Sequence, residues 1–332
     1  MELVCPAGNL PSLKAAVDNG ADAVYFGFRD DTNARHFPGL NFTPETANEG
    51  VRYARARGVR AFLAINTYPQ PAGWVRWRSA VDRGAELGVD ALIVADMGLM
   101  AYAARRWPDL PLHLSVQASA SSHAAVAFYH THFGIRRAVL PRVLSVEQVQ
   151  RVVEASPAPI EVFGFGSLCI MAEGRCMLSS YACGQSPNTC GACSPAEAVR
   201  WVSGPQGLDV RLGGILVDRY APDQPAGYPV VCKGRYSRAG EEPDYALEEP
   251  TSLNTLDLLP RLQTIGIAAI KIEGRQRSPA YVARVTRVWR EALDACRRAP
   301  DAYHPRPDWQ AALQGLSEGS QTTLGAYDRQ WR

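Results

Sequence analysis

At 332 residues the chain is longer than one average domain but fits a single large α/β barrel with an insertion, and its 46% hydrophobic content is ample for a core. A formal charge of +2, from 35 Lys and Arg against 33 Asp and Glu with no block of five basic residues, excludes a long-range pull on polyanions, so no nucleic-acid partner is expected. No apolar run reaches the roughly 18 residues of a spanning helix, and the start Met-Glu-Leu-Val-Cys-Pro lacks a leader pattern; the expectation is a cytoplasmic chain with reduced thiols and no transmembrane segment.

Taken in chain order, short apolar and β-branched runs predict strands at Glu2–Cys5, Ala23–Phe28, Ala61–Asn66, Ala91–Asp96, Leu112–Gln117, Ala138–Pro141, Ile160–Gly166 and Ala268–Glu273. Helical patterns lie between them. In Leu10–Gly20, Pro11 suits a first turn and Gly20 a C-terminal stop. Trp77–Leu87 ends at Gly88, and Ser145–Glu154 opens with Ser145 as N-cap and Gln148 three residues on. Eight such units in series predict a (β/α)8 TIM-like barrel. The regularity breaks once, which predicts seven strands over 1–167, an insertion over 168–265 between strands 7 and 8, the eighth strand and closing helix over 266–296, and a tail over 297–332.

Six of the eight cysteines fall in that insertion: Cys169, Cys176, Cys183, Cys190, Cys193 and Cys232. Clustered thiols in a reducing compartment point to a metal site. Only Cys190-Gly-Ala-Cys193 has the short knuckle of structural zinc, and the other gaps are long, so both an iron–sulfur cluster and zinc suit the spacing. The Cys-x3-Cys-x2-Cys run of radical S-adenosylmethionine enzymes is absent.

Barrel topology puts chemistry at the C-terminal strand ends. Those ends carry Cys5-Pro-Ala-Gly8, Asn66-Thr67, Asp96, Gln117, Arg142, Gly166-Ser-Leu-Cys169 and Lys271-Ile-Glu273-Gly-Arg275. Lys271 and Glu273 alternate along a strand, so they are expected either to pair across the mouth or to act in catalysis. Arg142 and Arg275 end the sixth and eighth strands and suit an anionic ligand, while Arg277 suits a solvated rim. Gly164-Phe-Gly166, a Gly-x-Gly inside a strand, is expected to mark close packing near the cysteine cluster. The histidines form no metal triad pattern, and neither a P-loop, a Gly-x-Ser-x-Gly nor a Gly-x-Gly-x-x-Gly after a strand is present.

Longer motifs run through the whole chain: Met1–Pro11, Asp31–Phe37, Phe163-Gly-Phe-Gly-Ser-Leu-Cys-Ile-Met-Ala-Glu-Gly-Arg-Cys176, Ser186-Pro-Asn-Thr, Gly191–Pro195, Cys232–Arg235, Glu248–Thr255, Lys271–Pro279 and Gln321–Tyr327. In these the chain resembles the collagenase-like peptidase family, in its branch of O2-independent hydroxylases. The resemblance implies a 4Fe–4S cluster on Cys169, Cys176, Cys193 and Cys232, with Cys183 and Cys190 as extras. It further implies hydroxylation of a prenylated phenol precursor of ubiquinone, prephenate as oxygen donor, and a heterodimer with a UbiV-like protein. On that reading Arg142, Arg275, Asn66 and Gln117 bind substrate, and Glu273 and Asp96 transfer protons. A peptidase, and a non-catalytic Fe–S scaffold for a catalytic partner, are the alternatives.

Overall fold

The computed structural model describes residues 1–237 and 241–328; residues 238–240 of the expected insertion and 329–332 of the expected tail lie outside the described residues. Seven strands alternate with helices: β1 (Glu2–Pro6), β2 (Ala23–Phe26), β3 (Arg60–Ile65), β4 (Ala91–Val94), β5 (Leu112–Leu114), β6 (Arg137–Val139) and β7 (Ile160–Ser167). The helices are α1 (Leu10–Asp18), α2 (Pro44–Arg55), α3 (Trp74–Glu86), α4 (Met97–Arg106), α5 (His123–Phe133) and α6 (Val146–Ala155). After β7 come two short helices, α7 (Leu178–Cys183) and α8 (Pro187–Cys190). An antiparallel sheet follows, β8 (Val199–Gly204), β9 (Gly207–Leu212) and β10 (Ile215–Tyr220). Then come β11 (Ser252–Asn254), α9 (Leu259–Ile265), β12 (Ala269–Ile272), the long α10 (Pro279–Arg298), α11 (Pro307–Gln314) and β13 (Thr322–Thr323).

The eighth barrel strand is β12. It pairs in parallel with both β1 (Glu2↔Ala269) and β7 (Ala269↔Glu161), which closes the ring and leaves it without an edge. The predicted TIM-like barrel is therefore present. Its strands bury nearly every residue, as expected of strands covered by helices outside and filled by side chains within. Because α9 packs between α6 and α10, it is the seventh barrel helix, and the inserted material separates β7 from its own helix.

Local chemistry explains the element ends. Asn9 caps α1, its side chain accepting from Ser12 N at 2.9 Å, and Ser145 with Gln148 forms the expected reciprocal capping box on α6. Helix α3 begins at Trp74, three residues before the predicted start, because the Pro71–Gly73 turn leads directly into it. β7 is long because it pairs twice: its first half lies between β6 and β12, and its last three residues run antiparallel to β11, which in turn carries β13. Gly164 permits a close approach, but to the strand β12 and helix α10 rather than to the cysteines: a Cβ there would stand 2.5 Å from Ile270 and 2.7 Å from Trp289 of α10.

Candidate active site at the barrel mouth

Two strand-end residues tie the mouth together. Asn66 accepts from Ala34 N at 3.0 Å and donates to Ser115 Oγ at 3.2 Å, so it links the loop after β2 to the end of β5. The carbonyl of Gln117, in the turn after β5, accepts from Tyr68 OH at 2.7 Å. Both residues line a small cavity of ≈ 40 Å³ with Tyr25, Arg35, Arg142, Phe163, Lys271, Glu273 and Arg275. Asp96 lies elsewhere: it caps α4, accepting from Leu99 N at 2.8 Å, and does not line this cavity. Cys5 also faces away, its thiol buried against α10 and accepting from Thr286 Oγ1 at 3.3 Å.

Lys271 and Glu273 do not pair. The pairing of β12 with β7 shifts register after Lys271, and the strand ends at Ile272, so the alternation that would align the two side chains is broken. Lys271 instead turns into the barrel to meet Glu161 at 2.7 Å, and Arg137 binds the same carboxylate at 3.0 Å. Burial opposes the charge on Glu161, but Lys271 and Arg137 outweigh it and hold the carboxyl at about 2. Glu273 lies 3.7 Å from Arg35 Nε and accepts from Ser167 N at 3.3 Å.

The arginines differ sharply. Arg142 is tied down: Nε binds Glu173 at 2.8 Å, Nη1 donates to the Ser167 carbonyl, and the guanidinium lies over the Phe163 ring at 4.4 Å. Arg275 has a hydrogen bond to Asn33 at 3.1 Å and, among the described residues, no ion pair; burial pulls it down to about 10. Arg277, half-buried, pairs with Glu318 at 3.2 Å on the rim. Sequence reasoning assigned no role to Arg35 or Glu173. Glu173 is the one acid between Cys169 and Cys176, and that placement was the available signal.

The cysteine loops are docked onto this mouth by two glycines. Gly174 has φ +81, and a Cβ would stand 1.9 Å from the Gln117 carbonyl oxygen; Gly191 has φ +83, and a Cβ would stand 2.2 Å from the Asn33 carbonyl oxygen. Only glycine allows both approaches. The docking gathers four thiols. Burial first, then the Cys169, Cys193 and Cys176 thiolates against the pull of Lys233, push Cys232 up to about 12. Cys193 is raised by burial first, with Arg35 opposing and Cys169, Cys176 and Cys190 adding. Cys169 is raised by burial and Glu173 against Arg142 and Arg35.

Cys183 and Cys190 lie at the edge of the group: Cys183 adds to the charge felt by Cys190, and Cys190 to that felt by Cys193. Their thiols donate to the Ser179 carbonyl at 2.8 Å and the Ser186 carbonyl at 2.9 Å. Among the described residues, no three His, Cys, Asp or Glu side chains are arranged to hold a metal ion, so the four thiols feel one another's charge without closing on a single-ion geometry. Beside Cys169 a larger cavity, ≈ 500 Å³, opens between Arg142, Leu168, Ile170, Thr251 and the tail segment 321–326. Glu318 straps that tail down, accepting from Ser167 Oγ at 2.5 Å and pairing with Lys233 and Arg277.

The model of peptidase family U32 matches residues 8–329. The chain belongs to peptidase family U32. This U32 chain is 33% identical over 313 residues to tRNA hydroxylation protein P of Escherichia coli (strain K12), covering 88% of this chain and 68% of that one. It is 30% identical to a collagenase of Porphyromonas gingivalis (89% and 66%), and 29% identical to the 23S rRNA 5-hydroxycytidine C2501 synthase of Escherichia coli (89% and 39%). The chain thus spans about two thirds, or less, of the length of these relatives.

Proposed function

We propose that this U32 chain is the Fe–S subunit of an O2-independent hydroxylase of the UbiU type. It acts with a UbiV-like partner on prenylated phenol precursors of ubiquinone, with prephenate as oxygen donor. The observation that carries the reading is the gathering of Cys169, Cys176, Cys193 and Cys232 beside a cationic barrel mouth. Four thiols with Arg35 and Lys233 alongside fit a 4Fe–4S cluster, whose ligands must be thiolates and whose charge needs nearby cations. Bound there, such a cluster supplies electron transfer.

This chain's own residues bind and orient. The mouth cations receive the carboxylates of the donor, and Glu273, fixed by Ser167 N, is the carboxylate available to hold or release a proton there. The ≈ 500 Å³ cavity beside Cys169 gives the acceptor ring a place close to the thiols. Relatives named for tRNA and rRNA hydroxylation support the reaction class. They also favour a second reading, hydroxylation of an RNA base, although a formal charge of +2 gives little of the backbone attraction RNA binding draws on. A peptidase is poorly supported: among the described residues no Ser, Thr or Cys side chain is hydrogen-bonded to a histidine.

The test is an anaerobic assay of the complex with a prenylated phenol and, separately, with RNA, each with and without prephenate. A mass gain of one oxygen on the phenol that requires prephenate supports the reading; modified RNA with an unchanged phenol overturns it. Alongside, iron and sulfide should vanish when Cys169, Cys176, Cys193 or Cys232 becomes Ala and persist in Cys183→Ala and Cys190→Ala. Colourless protein holding zinc would sink the cluster assignment.

A further inference from the structure

We propose that the small barrel-mouth cavity is a carboxylate subsite in which Arg275 and Arg35, and not Arg142, receive one carboxylate group of a ligand. The donor reading above is needed only to say which carboxylate is bound. The geometry of the mouth charges makes the case. Lys271 is paired with Glu161 and Arg142 with Glu173. Arg275 is only 5% exposed, yet among the described residues no carboxylate oxygen lies within 4.0 Å of it. The one acid facing it, Glu273, sits 3.7 Å from Arg35 and is shared with Ser167 N. Arg35 is answered by Glu273 and by the Cys193 and Cys169 thiols, so the buried charge left without a counter-charge is that of Arg275, and an anion from outside that reaches both guanidiniums completes it.

The surroundings are built to present that charge. Asn33 is 0% exposed; its Nδ2 donates to the Phe28 carbonyl at 2.5 Å and its Oδ1 accepts from Arg35 N at 2.9 Å as well as from Arg275 at 3.1 Å. Backbone on both sides therefore fixes the amide that aims the guanidinium. Asn66, Ser115 and Gln117 line the same space as neutral polar groups. The cavity of ≈ 40 Å³ is room for about three or four water-sized groups, since each needs roughly 10–15 Å³ on this measure. A carboxylate has three heavy atoms and fits. The ligand class is a carboxylic acid inserted head first with its body outside, the two-oxygen edge of its carboxylate matching a guanidinium fork.

The experiment measures binding and melting of the full-length protein, prepared anaerobically, with three probes: prephenate, pyruvate and inorganic phosphate. The variants are Arg275→Gln, Arg35→Gln and, as a rim-charge control, Arg277→Gln. Wild type should bind prephenate and, more weakly, pyruvate; both cavity variants should weaken carboxylate binding roughly tenfold or more, the control not at all. Without ligand, Arg275→Gln should melt no lower than wild type, because it removes an unmatched charge rather than a pair. A purely structural arginine would lower it.

Wild type that binds no carboxylate, Arg275→Gln that binds as wild type does, or phosphate bound as tightly as pyruvate, each overturns the subsite. The donor reading fails separately. Pyruvate binding lost in Arg275→Gln, with no prephenate binding by wild type, removes the donor and keeps the subsite. Prephenate bound equally by wild type and Arg275→Gln does the reverse.

Discussion

Glu173 and Arg142 form an ion pair whose side chains are 3% and 4% exposed, and one carboxylate oxygen of Glu173 has no hydrogen-bond partner. Such a pair adds little net stability, but breaking it strands a charge. Glu173→Gln should cost about 3–5 kcal/mol in urea unfolding, where an exposed pair such as Lys14 with Glu49 would cost under about 1 kcal/mol. A loss under 1 kcal/mol would show that Arg142 is held by Ser167 and Phe163 alone.

A second residue-scale expectation concerns acid. Burial first, then the positive charge of Arg137, drops His113 from 6.5 to about 3, and Glu161 drops from 4.5 to about 2. Both folded values lie below the unfolded ones, so the unfolded chain takes up protons first and stability falls as pH falls. His113 acts from 6.5 down to 3 and Glu161 from 4.5 down to 2, each at up to about 1.4 kcal/mol per pH unit. His113→Phe, which keeps a ring against Phe62, should flatten the slope of unfolding free energy between pH 6.5 and 4.5. An unchanged slope there would contradict the account.

Among the elements, the loop from Cys169 to Cys176 matters most, because it bears two of the thiols and Glu173 yet has no regular structure of its own. Its position depends on Gly174 lying against the Gln117 backbone and on Ser119 Oγ donating to the Glu173 carbonyl. A Cβ at residue 174 meets backbone, which cannot swing aside as a side chain can. Gly174→Ala should lower iron content and raise proteolytic cleavage within 169–176 while the far-ultraviolet circular dichroism of the barrel persists. Gly134→Ala, also at positive φ but with open space around it, should do neither.

At the scale of the whole molecule, a closed barrel brings the loop after β2, the end of β6, the insertion and the end of β12 around one mouth. The described part of this chain leaves several large apolar side chains exposed on the inserted segment, Met177 and Tyr181 at 67% and 90% and Trp201 at 44%. No helix among the described residues is long and apolar enough to cross a membrane. The exposed apolar side chains, with the proposed prenylated substrate, are the ground for proposing a partner chain that completes the pocket. Co-expression with a UbiV-like protein should yield a one-to-one complex with Tyr181 protected from solvent, measured by light scattering and hydrogen exchange around 177–181. An active monomer with the segment unprotected would count against it.

The local order of residues determined where the eight strands run and how α6 begins, because apolar runs and a capping box such as Ser145 with Gln148 act within a few residues of chain. It also placed the thiols in one segment, although spacing alone could not choose between iron–sulfur and zinc. Only the tertiary structure decided the partners. Alternation suggested Lys271 with Glu273, but a register shift and the interior position of Glu161, 110 residues away, redirected the lysine; Arg142 met Glu173 only when Gly174 docked the loop. Charges choose among all carboxylates that folding brings near, and that choice is set by three-dimensional closure rather than by neighbours in sequence.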